Sequence, residues 1–191
     1  LVGTIAVLLI FLLIGSFLAV YGWLYTYKAL TKETVVAELY ISKKVIKDGV
    51  PTAKVRYVRL NEEPALSFLG SQETENEEIQ LEMKGDQVFV DANFIRWQNW
   101  MSLLGIDPVY KVYRVKSDFR NISDREKYRP SEFEVNGGSD KFVEDFAQNQ
   151  SIFDWAVQSA FISSAGQNVT DQDQVFNVVV TKDAIVLEAK K

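Results

Sequence analysis

The sequence contains no cysteine and no histidine. Without cysteine there is no disulfide, no thiolate metal site and no cysteine nucleophile. Without histidine the commonest general base, the commonest zinc ligand and the usual activator of a serine nucleophile are missing. A third absence is local. Residues 1–27 carry no charged side chain, and the first charge is Lys28. No ionisable group lies inside that run, so it carries no proton or ion relay by itself. Several signatures are also missing: no G-x-G-x-x-G, no Walker loop, and no S-x-x-K near a helix start. Catalytic, cofactor-binding and metal-ligating residues are therefore all expected to be none, and the chain is read as not an enzyme.

What is present divides the chain in two. Residues 1–27 are long enough, at about 1.5 Å per residue, to cross the roughly 30 Å hydrocarbon layer of a bilayer as a helix. A helix is required there because a lone segment in lipid must satisfy its own backbone. Tyr21, Trp23, Tyr25 and Tyr27 cluster where the run ends, and Lys28 and Lys32 follow. Amphipathic rings and lysines prefer the headgroup zone, so these residues mark a membrane interface. Ser16, Ala19 and Gly22 recur at i, i+3 and i+6 and form a candidate stripe for close helix packing. The apolar run is too long for a cleaved signal peptide and no A-x-A pattern follows it, which favours a retained anchor. The chain starts without methionine, so a further segment is expected upstream.

Residues 28–191 suffice for one soluble domain with a sizeable core. The net charge of −5 argues against nucleic acid as a partner. Charge is unevenly placed: Lys28 to Leu60 holds eight basic residues against three acids, whereas Asn61 to Asp86 holds eight acids against Lys84 alone. The basic stretch adjoins the apolar run and suits anionic headgroups, although a solvated strand face is the plainer reading. The spacing of the acidic stretch matches no calcium loop.

Period-two alternation predicts strands over residues 35–41, 53–60, 79–83, 87–91 and 109–119. Asp48-Gly49 and Lys84-Gly85-Asp86 are turn signals, the second joining an expected hairpin of 79–83 with 87–91. Phe94, Trp97, Met101 and Leu104 share one face at helical spacing, which predicts a helix over 92–104 stopped by Gly105. Asp140 is placed to cap a second helix carrying Phe142, Val143 and Phe146. A helical turn to Trp155, a strand over 156–163 and a terminal hairpin of 174–181 with 185–189 complete the reading. The expected fold class is α+β: an N-terminal transmembrane helix, then a mostly antiparallel β-sheet domain with two short helices.

Three groups of residues are candidates for chemistry. Arg96, Trp97 and Trp100 form a candidate aromatic surface for cation–π or sugar stacking, with core packing as the alternative. Asp86, Asp91 and Asp107 could pair as carboxylates, but a turn, a strand end and a helix exit suit capping better. Ser151, Ser163 and Ser164 have no histidine to activate them. Sequons at Asn121, Asn149 and Asn168 would matter only in a eukaryotic secretory pathway.

The run GDQVFVDANFIRWQNWMSLLGIDPVYKVYRV, with YKALTKETVVAEL upstream, resembles a family of small proteobacterial inner-membrane proteins often labelled cation/multidrug efflux pumps. Gly85, Asp86, Gln87, Asp91, Trp97, Trp100, Leu103, Leu104, Gly105, Asp107, Tyr110 and Arg114 fill the positions of that family's pattern. The resemblance implies two membrane helices, with residues 1–27 as the second, and a domain on the periplasmic side of the bacterial inner membrane. The pump label has no physical support here, since one span without a polar intramembrane group forms no translocation path alone. The expected partners are membrane lipid and other integral membrane proteins. The expected role is a non-catalytic accessory or scaffold subunit bracing the periplasmic face of a larger complex. The alternative expectation is a periplasmic binding module for a lipid or small apolar ligand.

Overall fold

Strands account for most of the described backbone in the computed structural model, which describes residues 10–19, 33–60, 78–103, 109–138, 155, 157–181 and 183–190. Residues 10–19 are helical (α1). Ten strands follow: β1 (Thr34–Ile41), β2 (Val45–Lys47), β3 (Val50–Arg59), β4 (Glu78–Lys84), β5 (Gln87–Trp97), β6 (Val109–Asp118), β7 (Glu132–Glu134), β8 (Val157–Asn168), β9 (Gln174–Val180) and β10 (Ile185–Ala189). Two short helices, α2 (Asn99–Leu103) and α3 (Ile122–Lys127), lie among them. Asn121 caps α3, its side-chain oxygen accepting from Ser123 N.

All pairings are antiparallel and fall into two sheets. The first runs β10-β9-β1-β3, with β2 and β4 both pairing β3; the second runs β7-β6-β5-β8. Their inner faces share one core. Leu39, Ile41, Val55, Tyr57 and Met83 of the first sheet join Val88, Val90, Phe94 and Val115 of the second, all almost completely buried. Each such side chain contributes about 1.5–3 kcal/mol by leaving water. The ring of Phe94 stacks on Phe161 at 5.5 Å and leans on Tyr110 at 6.2 Å, which fills the space between strands.

The domain is thus a sandwich of mostly antiparallel sheet, and the expected helix over 92–104 is corrected. Residues 92–97 continue β5, flanked by β6 on one side and β8 on the other. Ala92 and Phe94 face the main core, while Ile95 packs with Val157, Trp97 and Ala160 in a separate cluster. A strand covered on both faces loses its alternation, so its apolar residues imitate helical spacing. Among the described residues of that stretch only Asn99–Leu103 is helical. The helix expected after Asp140 lies outside the described residues.

The expected hairpin across Gly85-Asp86 is also corrected. β4 pairs β3 and β5 pairs β6 and β8, so the two strands belong to different sheets. Gly85 N donates to Pro51 O at 2.8 Å and Asp86 N donates to Asp118 O at 3.1 Å, so the chain changes sheets at one peptide link. Gly85 has φ 147, and a Cβ there would lie 2.6 Å from Asp118 O. By contrast Asp48-Gly49 does close the β2–β3 hairpin, with φ 52 and 78. The β9–β10 hairpin matches expectation too, Thr181 N donating to Ala184 O at 2.9 Å.

The sandwich has two distinct ends. At one, Val169 N donates to Asp86 O at 2.9 Å and Lys44 N to Thr170 O at 2.7 Å, drawing the ends of β5, β6 and β8 against the first sheet. The other end carries Thr34, where β1 begins, and the β9–β10 turn, since Thr34 pairs Val180 and Val180 pairs Ile185. The second sheet reaches the same end through Arg96, whose guanidinium meets Asp183 at 2.6 Å.

Candidate functional site

The one fully buried carboxylate among the described residues is Asp91, in the middle of β5 rather than at a strand end. Its pairing places Arg114 of β6 on one side and Ser164 of β8 on the other, on the sheet face turned away from the main core. One carboxylate oxygen accepts from Arg114 Nε at 2.8 Å, from the guanidinium Nη2 at 2.6 Å and from Lys116 Nζ at 2.8 Å. The other accepts from Ser164 Oγ at 2.5 Å. Arg114 reaches on to Glu132 of β7 at 2.5 Å, so one ionic group ties together all four strands of the sheet.

Burial alone would raise the Asp91 pKa, but the bonds donated by Lys116, Ser164 and Arg114 and the nearby Lys116 charge outweigh it. The carboxyl therefore stays below the ordinary aspartate range. With four donors and no exposed surface it has no lone pair aimed at a substrate. Its chemistry is that of a structural counter-ion. Ser163 and Ser164 are likewise committed, Ser163 Oγ accepting from Ile185 N at 3.0 Å across the sheets. Asp86 accepts from Arg120 N at 2.7 Å and serves the corner where the chain changes sheets. Asp107 lies outside the described residues. No group of three or more acidic side chains is gathered for a metal ion among the described residues.

Arg96, Trp97 and Trp100 do not form one helical platform. Arg96 and Trp97 are neighbours on a strand and point to opposite faces. Arg96 pairs Asp183 and lies over the Phe161 ring at 5.5 Å, whereas Trp97 packs with Ile95 and Val157. Trp100, on α2, finds a different partner: its ring stacks on Trp155 at 5.9 Å, and its Nε1 donates to Trp155 O at 3.1 Å. Both rings remain open to solvent, Trp100 at 44% and Trp155 at 67%. The sequence carries no local signal for this tryptophan pair, because its members are far apart in the chain and are brought together by the β5–β8 pairing.

On the outer face of the first sheet, Tyr40, Ser42, Lys54, Arg56, Gln80, Glu82 and Asp173 line an open, shallow depression. Arg56 lies 3.9 Å above the Tyr40 ring, and Tyr40 Oη donates to Glu38 at 2.5 Å. The lining is charged, and two of its charges are held from outside it, Glu82 by Lys47 and Arg56 by Glu78.

The α1 segment differs from everything else. Its large side chains, Ile10 through Leu18, are each more than half exposed. Ser16 and Ala19 of the candidate packing stripe lie on it and are exposed as well. Gly22 and the candidate interface residues Tyr21, Trp23, Tyr25, Tyr27 and Lys28 lie outside the described residues. Among the described residues no helix is long and apolar enough to cross a membrane. Compared with protein-family models, curated proteins and solved structures, the chain has no match in any of the three.

Proposed function

We propose that this protein is a non-catalytic, membrane-anchored accessory or scaffold subunit of a larger bacterial inner-membrane assembly. Residues 1–27 form the transmembrane helix and the β-sandwich stands on the periplasmic side, consistent with the family that the sequence resembles. The observation that carries the reading is α1: a continuous run of apolar side chains more than half exposed, whereas most large apolar side chains of the described domain are packed into its core. Exposed apolar surface on this scale marks a site that lipid or another protein covers. The absence of charge throughout residues 1–27 extends the same surface to a length that spans a bilayer.

The character of the domain supports a bracing role over a chemical one. Its buried carboxylate accepts from four donors, and the described depression is open and lined largely by charged and polar side chains. A module for apolar ligands would call for a concave, aromatic-lined cavity, and the most deeply buried aromatics among the described residues, Tyr57 and Phe94, are packed into the core. Solubilising native membranes in mild detergent and isolating the tagged full chain tests the proposal. Co-migration with one or more integral membrane proteins in stable proportion is expected. A monodisperse free monomer, with no protein accompanying it, overturns the subunit reading.

A further inference from the structure

Resting on the anchored reading above, we infer that the end of the sandwich carrying Trp100 and Trp155 docks onto the bilayer surface, so that the domain stands on the membrane in one fixed orientation. Three observations converge on this. The first is position. Thr34, where the chain enters the domain, pairs with Val180, and Asp183 just beyond it holds Arg96 at 2.6 Å. Trp97, α2 and the Trp100–Trp155 stack follow directly from Arg96. The tryptophan pair therefore lies at the end of the sandwich from which the chain leads back toward α1.

The second is reach. If the uncharged run ends at the headgroup zone, only residues 28–33 separate it from β1. Fully extended, they span at most about 20 Å. At this end the second sheet runs past the start of β1, alongside the β9–β10 turn whose Asp183 meets Arg96. Ile185 N is bonded to Ser163, which pairs with Ala92, whereas β5 continues to Trp97. Five further residues of strand add about 16 Å. Measured from the start of β1, the end of the second sheet thus covers most of the gap that the connection could leave open.

The third is chemistry. Trp100 and Trp155 are the most exposed large aromatics of the described sandwich domain, and Val109, 39% exposed, begins β6 at the same end. Indole rings are amphipathic and favour the boundary between headgroups and acyl chains. The opposite end exposes aliphatic side chains, Val45, Ile46 and Ile122, among the charged and polar Asp171, Gln172 and Asp173, but neither of the two exposed tryptophans of the described domain. A bilayer is the occupant that fits both the short connection and the pair of open indoles.

Because the chain has no cysteine, single labelling sites can be introduced cleanly. The full chain, reconstituted in phosphatidylcholine vesicles, would carry a nitroxide at Trp155→Cys, Val109→Cys, Asp171→Cys or Phe17→Cys in turn. Collision with oxygen is compared with collision with a water-soluble nickel chelate, and a thermal melt of each variant checks that it folds. Expected is a severalfold higher oxygen-to-nickel ratio at 155 and 109 than at 171, with the highest ratio at 17. Ratios at 155 and 109 equal to that at 171, with 17 still in lipid, overturn the docking while leaving the anchor intact. A water-exposed label at 17 removes the anchor and the docking with it. Spin–spin broadening at 155 without an oxygen preference makes a second copy the occupant and overturns the inference. Should the Trp155 variant fail to melt cooperatively, the Val109 site alone decides.

Discussion

Replacing Asp91 by asparagine keeps the side-chain volume and removes one charge from a group in which two cations and a serine converge on a single carboxylate. Arg114 and Lys116 would then face each other with Glu132 as the remaining acid. Breaking a buried ion pair by removing one partner costs about 3–5 kcal/mol. The lower end applies, because the Arg114 and Lys116 side chains keep 25% and 32% of their surface in water. A loss of about 3 kcal/mol shifts the midpoint of a domain this size by about 6–12 °C. Thermal unfolding of the full chain in detergent micelles, followed by near-ultraviolet circular dichroism, measures it. Adding Lys116→Met to Asp91→Asn should recover part of the loss by removing one stranded cation.

The same variant carries a pH signature. The folded carboxyl is depressed below its unfolded value of about 3.9, so its stabilisation is complete above that pH and is lost as pH falls through the folded value. The gap between wild type and Asp91→Asn should therefore be constant near neutrality and close in acid. A neutral-pH loss under about 0.5 kcal/mol, the scale of an ordinary surface change, refutes the structural role. So does a gap of unchanged size in strong acid.

Gly85→Ala should lower stability by about 2 kcal/mol, because the new methyl meets the Asp118 carbonyl at 2.6 Å on a backbone with φ 147. An unchanged melting midpoint would show that the corner does not need glycine. Phe94→Ala should cost about 3–5 kcal/mol by emptying the space between Phe161 and Tyr110. A urea midpoint shift worth less than about 1 kcal/mol would mean that the core collapses around the gap.

Local pattern revealed the strands but not all their partners. Alternation in β1, β3, β4 and β6 and the turn chemistry of Asp48-Gly49 were legible, because one buried face and a tight turn each leave a mark on neighbouring residues. β5 was half legible. Its first residues alternate, but beyond Asp91 both faces are covered, and the period that separates strand from helix vanishes. The sheet change at Gly85 was invisible for a related reason: alternation states that a strand pairs, not with which neighbour. Asp91 itself carried a signal, a lone carboxylate within an apolar run, and Arg114 and Lys116 alternate on one face of β6. Only the register joins them. Trp155 stacking on Trp100 had no local signal at all.

The order in which β1 finds its neighbours bears on how the domain comes into being. It is the first strand to emerge, yet one of its two flanks is completed only by β9, which places Val35 beside Val179. Until that late segment arrives, a row of unsatisfied amide and carbonyl groups on β1 stands open to pairing with other chains. Pairings so distant in sequence are slow to form, since the loop-closure entropy must be met before they yield any stability. A domain wired this way can finish assembly only after its last strands have been released. In the interval, a binding chaperone or an early-arriving partner that shields the open flank would decide between productive assembly and aggregation.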